Sequence, residues 1–178
     1  MLESLRQLNE SLRRANAPER LRALRGPRQQ SERVKWHGAI FAYAYTQSHG
    51  IVPQKMWARM EPQDSSHDMT MNWPFIGGRE LRVQLKELPP RKLNRKLSTQ
   101  QLVDKAVAQY PHDADMVLAF FLNRTEHFTT VRLPVRHGVA GIWFYGFSKP
   151  GGQEVFIKGM DDQGEREGYV PFLVPRTA

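Results

Sequence analysis

The sequence predicts an α/β domain built around a mixed sheet, and three observations lead there. Segments with a two-residue apolar period (68–73 and 80–88) share the chain with segments of helical period (31–49 and 98–110). Met116–Leu122 (MVLAFFL) is an unbroken apolar run of strand length, as expected of a strand covered on both faces. The 178 residues are 40% hydrophobic and 25% charged, enough for one buried core.

The elements follow in order. Leu2, Leu5, Leu8 and Leu12 recur at three- and four-residue spacings, an amphipathic helix that Ala17-Pro18 ends. A second short helix can start at Pro18 and close at Gly26-Pro27. Residues 1–30 therefore read as a basic helical arm, suited to packing, homodimerisation or nucleic-acid contact, and residues 31–178 as the α/β domain. Ser31 precedes a helix whose Trp36, Ile40 and Tyr43 share a face, ending near His49-Gly50. Lys55–Glu61 alternates as a strand. In Asp68–Trp73, Met69, Met71 and Trp73 face one side and Asp68, Thr70 and Asn72 the other. Gly77-Gly78 supplies a turn. In Glu80–Leu88, Leu81, Val83 and Leu85 oppose Glu80, Arg82, Gln84 and Lys86, and Pro89-Pro90 stops the strand. Ser98 caps a helix through Tyr110, with Leu102, Val103, Ala106 and Val107 inward. After Met116–Leu122, strands are expected at Ala140–Ser148 and Glu154–Lys158, then an acidic loop and a Pro-rich tail.

Charge narrows the partners. The chain carries +8, of which residues 1–35 hold +5 and Arg91-Lys92-Leu93-Asn94-Arg95-Lys96 adds +4, leaving the remainder about neutral. Clustered cations favour a polyanion, because neutralised phosphates release counterions. The absence of cysteine excludes disulfides, thiolate zinc sites and a cysteine nucleophile. With neither a membrane-length apolar run nor a secretory leader in view, a cytoplasmic protein without a membrane partner is expected. The six histidines lack HxxxH or HxH spacing, and neither GxxxxGK[ST] nor GxGxxG occurs, so a zinc site or a nucleotide loop is unsupported.

One constellation carries chemistry. Asp68 opens one strand, and Gln84 and Lys86 lie two apart on the next, so they share a side. Phosphodiester hydrolysis needs such a set: oxygen ligands for a hard divalent cation, and a lysine against developing charge. In Val83-Gln84-Leu85-Lys86-Glu87-Leu88, and in the order helix, three strands, helix, strand over about residues 31–123, the chain resembles the PD-(D/E)xK nuclease superfamily. The resemblance implies a restriction-endonuclease-like core, an N-terminal helical arm and extra C-terminal strands. It implies Mg²⁺ or Mn²⁺ held by Asp68, Gln84 and the Leu85 carbonyl, with Asp68, Gln84 and Lys86 catalytic. Glu32 falls where some members place another acid. Arg91, Lys92, Arg95 and Lys96, with Arg13 and Arg14, would grip nucleic acid, DNA in the first instance.

The sequence departs from that pattern at two positions: His67 stands where the proline would be, and Gln84 replaces the usual acid. Glu80 shares the Gln84 face but lies about 13 Å along the strand; Glu87 points to the other side, and Asp64 is in a loop. Two further readings fit the same residues. One is a catalytically inactive member that binds nucleic acid or scaffolds a complex; the other is an interaction protein that self-associates through the leucine-spaced arm.

Overall fold

The computed structural model describes residues 27–51, 57–62, 65–72, 80–88, 98–110, 112–122, 138–148, 154–161 and 164–171. Arg13, Arg14, Arg91, Lys92, Arg95 and Lys96 lie outside them, as do the two expected helices of the arm.

Seven strands form one sheet in chain order: β1 (Trp57–Met60), β2 (Met69–Asn72), β3 (Glu80–Leu88), β4 (Asp113–Leu122), β5 (Val139–Phe147), β6 (Glu154–Asp161) and β7 (Gly164–Pro171). β1 to β3 pair antiparallel, β3 to β5 parallel, and β5 to β7 antiparallel again. The sheet curls into a half-barrel. Among the described residues there are two helices, α1 (Pro27–Ser48) and α2 (Thr99–Gln109). This corrects the expected fold class: the molecule is mostly a curled sheet, not a restriction-endonuclease-like α/β core. The C-terminal strands are not appendages. They continue the sheet by backbone hydrogen bonding, so that strand outweighs helix.

α1 begins at Pro27, where a residue without an N–H wastes no helix donor. Its buried face is His37, Ile40, Phe41, Ala44 and Tyr45, at three- and four-residue spacing, so Trp36 and Tyr43 flank the core-facing stripe and stay half-buried. α2 starts with a capping box: the Ser98 hydroxyl accepts from the Gln101 N–H, and the Gln101 side chain accepts from the Ser98 N–H.

The two helices lie against opposite faces. Phe41 and Tyr45 of α1 pack with Met69, Met71, Val83, Val117, Phe121, Trp143 and Tyr145. Val103 and Ala106 of α2 pack with Leu88, Met116, Leu118, Phe120, Ile142 and Phe144. β4 thus sends Val117, Ala119 and Phe121 to one core and Met116, Leu118, Phe120 and Leu122 to the other, which is why its sequence is apolar without alternation. β3 faces two environments: Leu81, Val83 and Leu85 join the α1 core, whereas Arg82, Gln84 and Lys86 lie on the other face, ahead of Leu88. No helix among the described residues is long and apolar enough to cross a membrane.

Candidate active site

Asp68 sits one residue before the paired part of β2, where the chain leaves a bend at Ser65–Asp68. Its N–H donates to the Val83 carbonyl at 3.0 Å. Its carboxylate oxygen Oδ2 accepts the Leu85 N–H at 2.8 Å and also the Gln84 side-chain NH₂. The Gln84 carboxamide is held from the other end as well: Tyr110, the residue capping the end of α2, donates its hydroxyl to Gln84 Oε1 at 2.8 Å. A chain of hydrogen bonds therefore runs from Tyr110 through Gln84 to Asp68. Lys86 follows two residues on, on the same face and half-buried.

Burial pushes the Asp68 carboxyl above the ordinary aspartate value, against the Leu85 N–H and the nearby Lys86 and His67, which lower it. Tyr110 is likewise raised, by burial first and then by Asp68 and Asp113. Met69 and Val83 turn to the α1 core and do not line the site.

Beside this trio is a second polar group. Glu61, just past β1, donates its backbone N–H to the Asp68 carbonyl at 3.0 Å, and its side chain is 11% exposed. Glu61 Oε1 accepts the Thr70 hydroxyl at 2.6 Å and the Arg59 Nε–H at 3.0 Å. Thr70, having spent its proton on Glu61, is left to accept from His67 Nε2 at 2.9 Å. The Thr70 bond, ahead of Arg59, holds the Glu61 carboxyl below the usual range. On the β4 side, Arg82 pairs with Asp113.

The structure brings Asp68, Gln84 and Lys86 to one face, and it brings Leu85 to Asp68 through its N–H. Glu87 faces α1 and pairs with Arg33 at 3.3 Å. Glu80 is exposed at the far end of β3, and the side chain of Glu32 is outside the described residues, as is Asp64. Glu61 and Tyr110 are the neighbours that sequence reasoning missed. Alternation along β1 places Glu61 two residues beyond Arg59, but only the β1–β2 register sets it beside Asp68. Tyr110 reads as a helix end, and no local pattern marks its hydroxyl as a partner for Gln84.

Among the described residues no three His, Cys, Asp or Glu side chains group to hold a metal. What the site offers a hard cation is one carboxylate, which accepts two N–H groups, and one carboxamide oxygen, which accepts the Tyr110 hydroxyl; Leu85 presents its N–H there. A cation held by so few protein ligands would have to keep several waters and take its remaining ligands from substrate phosphate. The fit carries a condition: Gln84 now points its NH₂ toward Asp68, so the carboxamide must reverse to present oxygen there. No protein-family model, curated protein or solved structure matches the chain.

Proposed function

We propose that the chain hydrolyses phosphodiester bonds of nucleic acid, DNA before RNA, in the manner of a PD-(D/E)xK-type site. The observation that carries this reading is the convergence of Asp68, Gln84 and the Leu85 backbone on one point of the sheet, with Lys86 on the same face. Asp68 and the carboxamide oxygen of Gln84 would hold Mg²⁺ or Mn²⁺, which when bound polarises the phosphoryl oxygen and lowers the pKa of attacking water. Lys86, a cation on a strand rather than a loop, positions that water and stabilises charge developing on the phosphate. Arg91, Lys92, Arg95 and Lys96, which follow β3 in the sequence, would take the flanking phosphates, joined by Arg13 and Arg14. A cytoplasmic setting and self-association through the N-terminal arm belong to the same reading.

The test is nicking of plasmid DNA in Mg²⁺ and in Mn²⁺. Lys86→Ala should lower the rate by about 10²-fold or more while leaving the folded spectrum unchanged. Purified protein that cleaves neither DNA nor RNA in either metal ends the enzymatic claim.

A second reading has its own support. Gln84 satisfies Asp68 directly, without a cation, as a site retired to nucleic-acid binding would. Gln84→Glu separates the two readings. Cleavage appearing only in that variant identifies a decayed site, whereas cleavage by the natural chain identifies a working one.

A further inference from the structure

We infer that Trp57 is a base-stacking residue: its indole, with the Arg59 guanidinium beside it, takes an unpaired base of nucleic acid, in a single strand or an opened stretch of duplex. The inference rests on the proposed nucleic-acid partner and adds to it a contact residue and a substrate class.

β1 is an edge strand with two unlike faces. Ala58 and Met60 pack on the α1 core, so Trp57 and Arg59 lie on the opposite face. The register carries that face across the sheet: Trp57 pairs with Asn72 and then Glu80, and Arg59 with Thr70 and then Arg82. It is therefore the face of Gln84 and Lys86. α2 covers it only from β3 onward, for its core cluster draws on β3 to β6 and on neither β1 nor β2. The indole stays in solvent, 43% exposed. Along β1 it lies four residues, about 13 Å, from Glu61, and two strand spacings, about 10 Å, separate β1 from β3. One nucleic-acid strand spans Trp57 to Gln84 in about five stacked nucleotides at roughly 3.4 Å each.

Charge selects the ligand. Trp57 and Tyr169 are the two large hydrophobic side chains exposed among the described residues, and their surroundings have opposite sign. At Trp57 the cation is outermost: the Arg59 side chain is 64% exposed and its partner Glu61 11%. Arg82, in the Arg59 row, is likewise more exposed than its partner Asp113. Arg59 spends Nε and Nη2 on Glu61 Oε1, which fixes the guanidinium and leaves Nη1 to meet a phosphate. Around Tyr169 the order reverses. Glu165 and Glu167 share its face and are more exposed than Lys158, which pairs with both. A polyanion is drawn to the first aromatic and repelled from the second. Glu80, exposed at the start of β3, bounds the platform on its far side. An aromatic ring stacks any base, provided the base is not already stacked within a duplex, and this sets the substrate class.

The experiment uses the full-length chain in EDTA, so that no cleavage intervenes, with labelled oligothymidylate and a labelled duplex as probes. Anisotropy is read for the natural chain, Trp57→Ala, Trp57→Phe and Tyr169→Ala. Trp57→Ala should bind oligothymidylate roughly 5- to 150-fold more weakly, the range one base–aromatic stack supplies, with duplex affinity unchanged. Trp57→Phe should keep most of the affinity, and Tyr169→Ala all of it. Oligothymidylate should also quench tryptophan emission in the natural chain and not in Trp57→Phe.

Equal loss for both probes, or loss for neither, overturns the inference and leaves the nucleic-acid reading standing on the natural chain's own binding. A natural chain that binds neither probe removes both. If Trp57→Ala turns a dimer into a monomer in sedimentation while oligothymidylate affinity holds, the face belongs to a second copy and the inference is overturned. Should Trp57→Ala fail to fold, quenching decides: emission quenched equally in the natural chain and Trp57→Phe, or in neither, overturns it.

Discussion

Asp68 does two jobs whose demands conflict. As a strand terminus it accepts the Leu85 N–H, and as a site residue it keeps a carboxylate where burial disfavours charge. Its folded pKa lies above the unfolded one, so between those values the folded chain binds the extra proton, and stability falls as pH rises through that window. Asp68→Asn keeps both hydrogen bonds without the charge. It is expected to raise stability at pH 7, to lose that advantage below the unfolded pKa, and to abolish Mn²⁺ binding; thermal unfolding at pH 7 and pH 3 with a Mn²⁺ titration checks all three. His37 has the opposite sign. Burial, then Arg33, lowers its pKa from 6.5 to about 3, and its ring stacks on Phe121 at 4.1 Å. Between those values the unfolded chain binds the proton, so stability is lost as pH falls. His37→Phe should therefore lose roughly 2 to 3 kcal/mol less than the natural chain between pH 7 and pH 4.5, read from urea unfolding at each pH. Sequence alone displays neither shift. It identifies Gln84 and Lys86 as sharing a strand face with Asp68 on the neighbouring strand, but the burial and the partner hydroxyl come from α2 and from the bend before β2.

At the scale of elements, what was legible follows from whether a segment has one environment or several. β3 alternates from Glu80 to Lys86 because one face meets the α1 core and the other is polar at the site, and its bounds, Glu80 to Leu88, are the ones the sequence predicts. β7 cannot be read this way. It is an edge strand of sequence GEREGYVP in which Val170 alone is buried, and its support comes from Lys158 on β6, which reaches Glu165 at 3.3 Å and Glu167 at 3.0 Å. Charge that reads as a loop is here a cross-strand ladder. β6 runs three residues past its expected end for a related reason. Gly159 pairs with Trp143, and a Cβ there would meet the Ile142 carbonyl and lie 2.5 Å from the Trp143 ring. Gly159, just past the expected end, is the residue that lets the strand pass a buried tryptophan. Gly159→Ala is expected to destabilise by about 1–3 kcal/mol, measured by chemical denaturation, with Gly168→Ala, where the nearest atom is 4.0 Å away, as the tolerant comparison.

For the whole molecule, the half-barrel explains why counting elements misled. A layered α/β domain and a curled sheet with a helix against each face share a similar order of segments, and only the continued pairing of β5, β6 and β7 separates them. α1 is fastened to that curl at its far end: His49 Nε2 meets Asp161 Oδ2 at 2.9 Å, with both side chains 6% exposed. The functional reading, by contrast, depends on charge carried mostly by residues outside those described. Of the net +8, residues 1–35 and 91–96 account for all the excess. If these segments hold duplex DNA, each phosphate contact should steepen the fall of log K with log salt by about 0.9. Replacing Arg91, Lys92, Arg95 and Lys96 together by alanine should then flatten the slope by up to about 4, because all four contacts leave at once. Lys86→Ala, which removes one charge at the cleavage point, should change it by about 1 or less. Fluorescence anisotropy across a salt series reads both. A slope that Lys86 controls and the 91–96 segment does not would confine DNA to the sheet face and deny the basic segment its role.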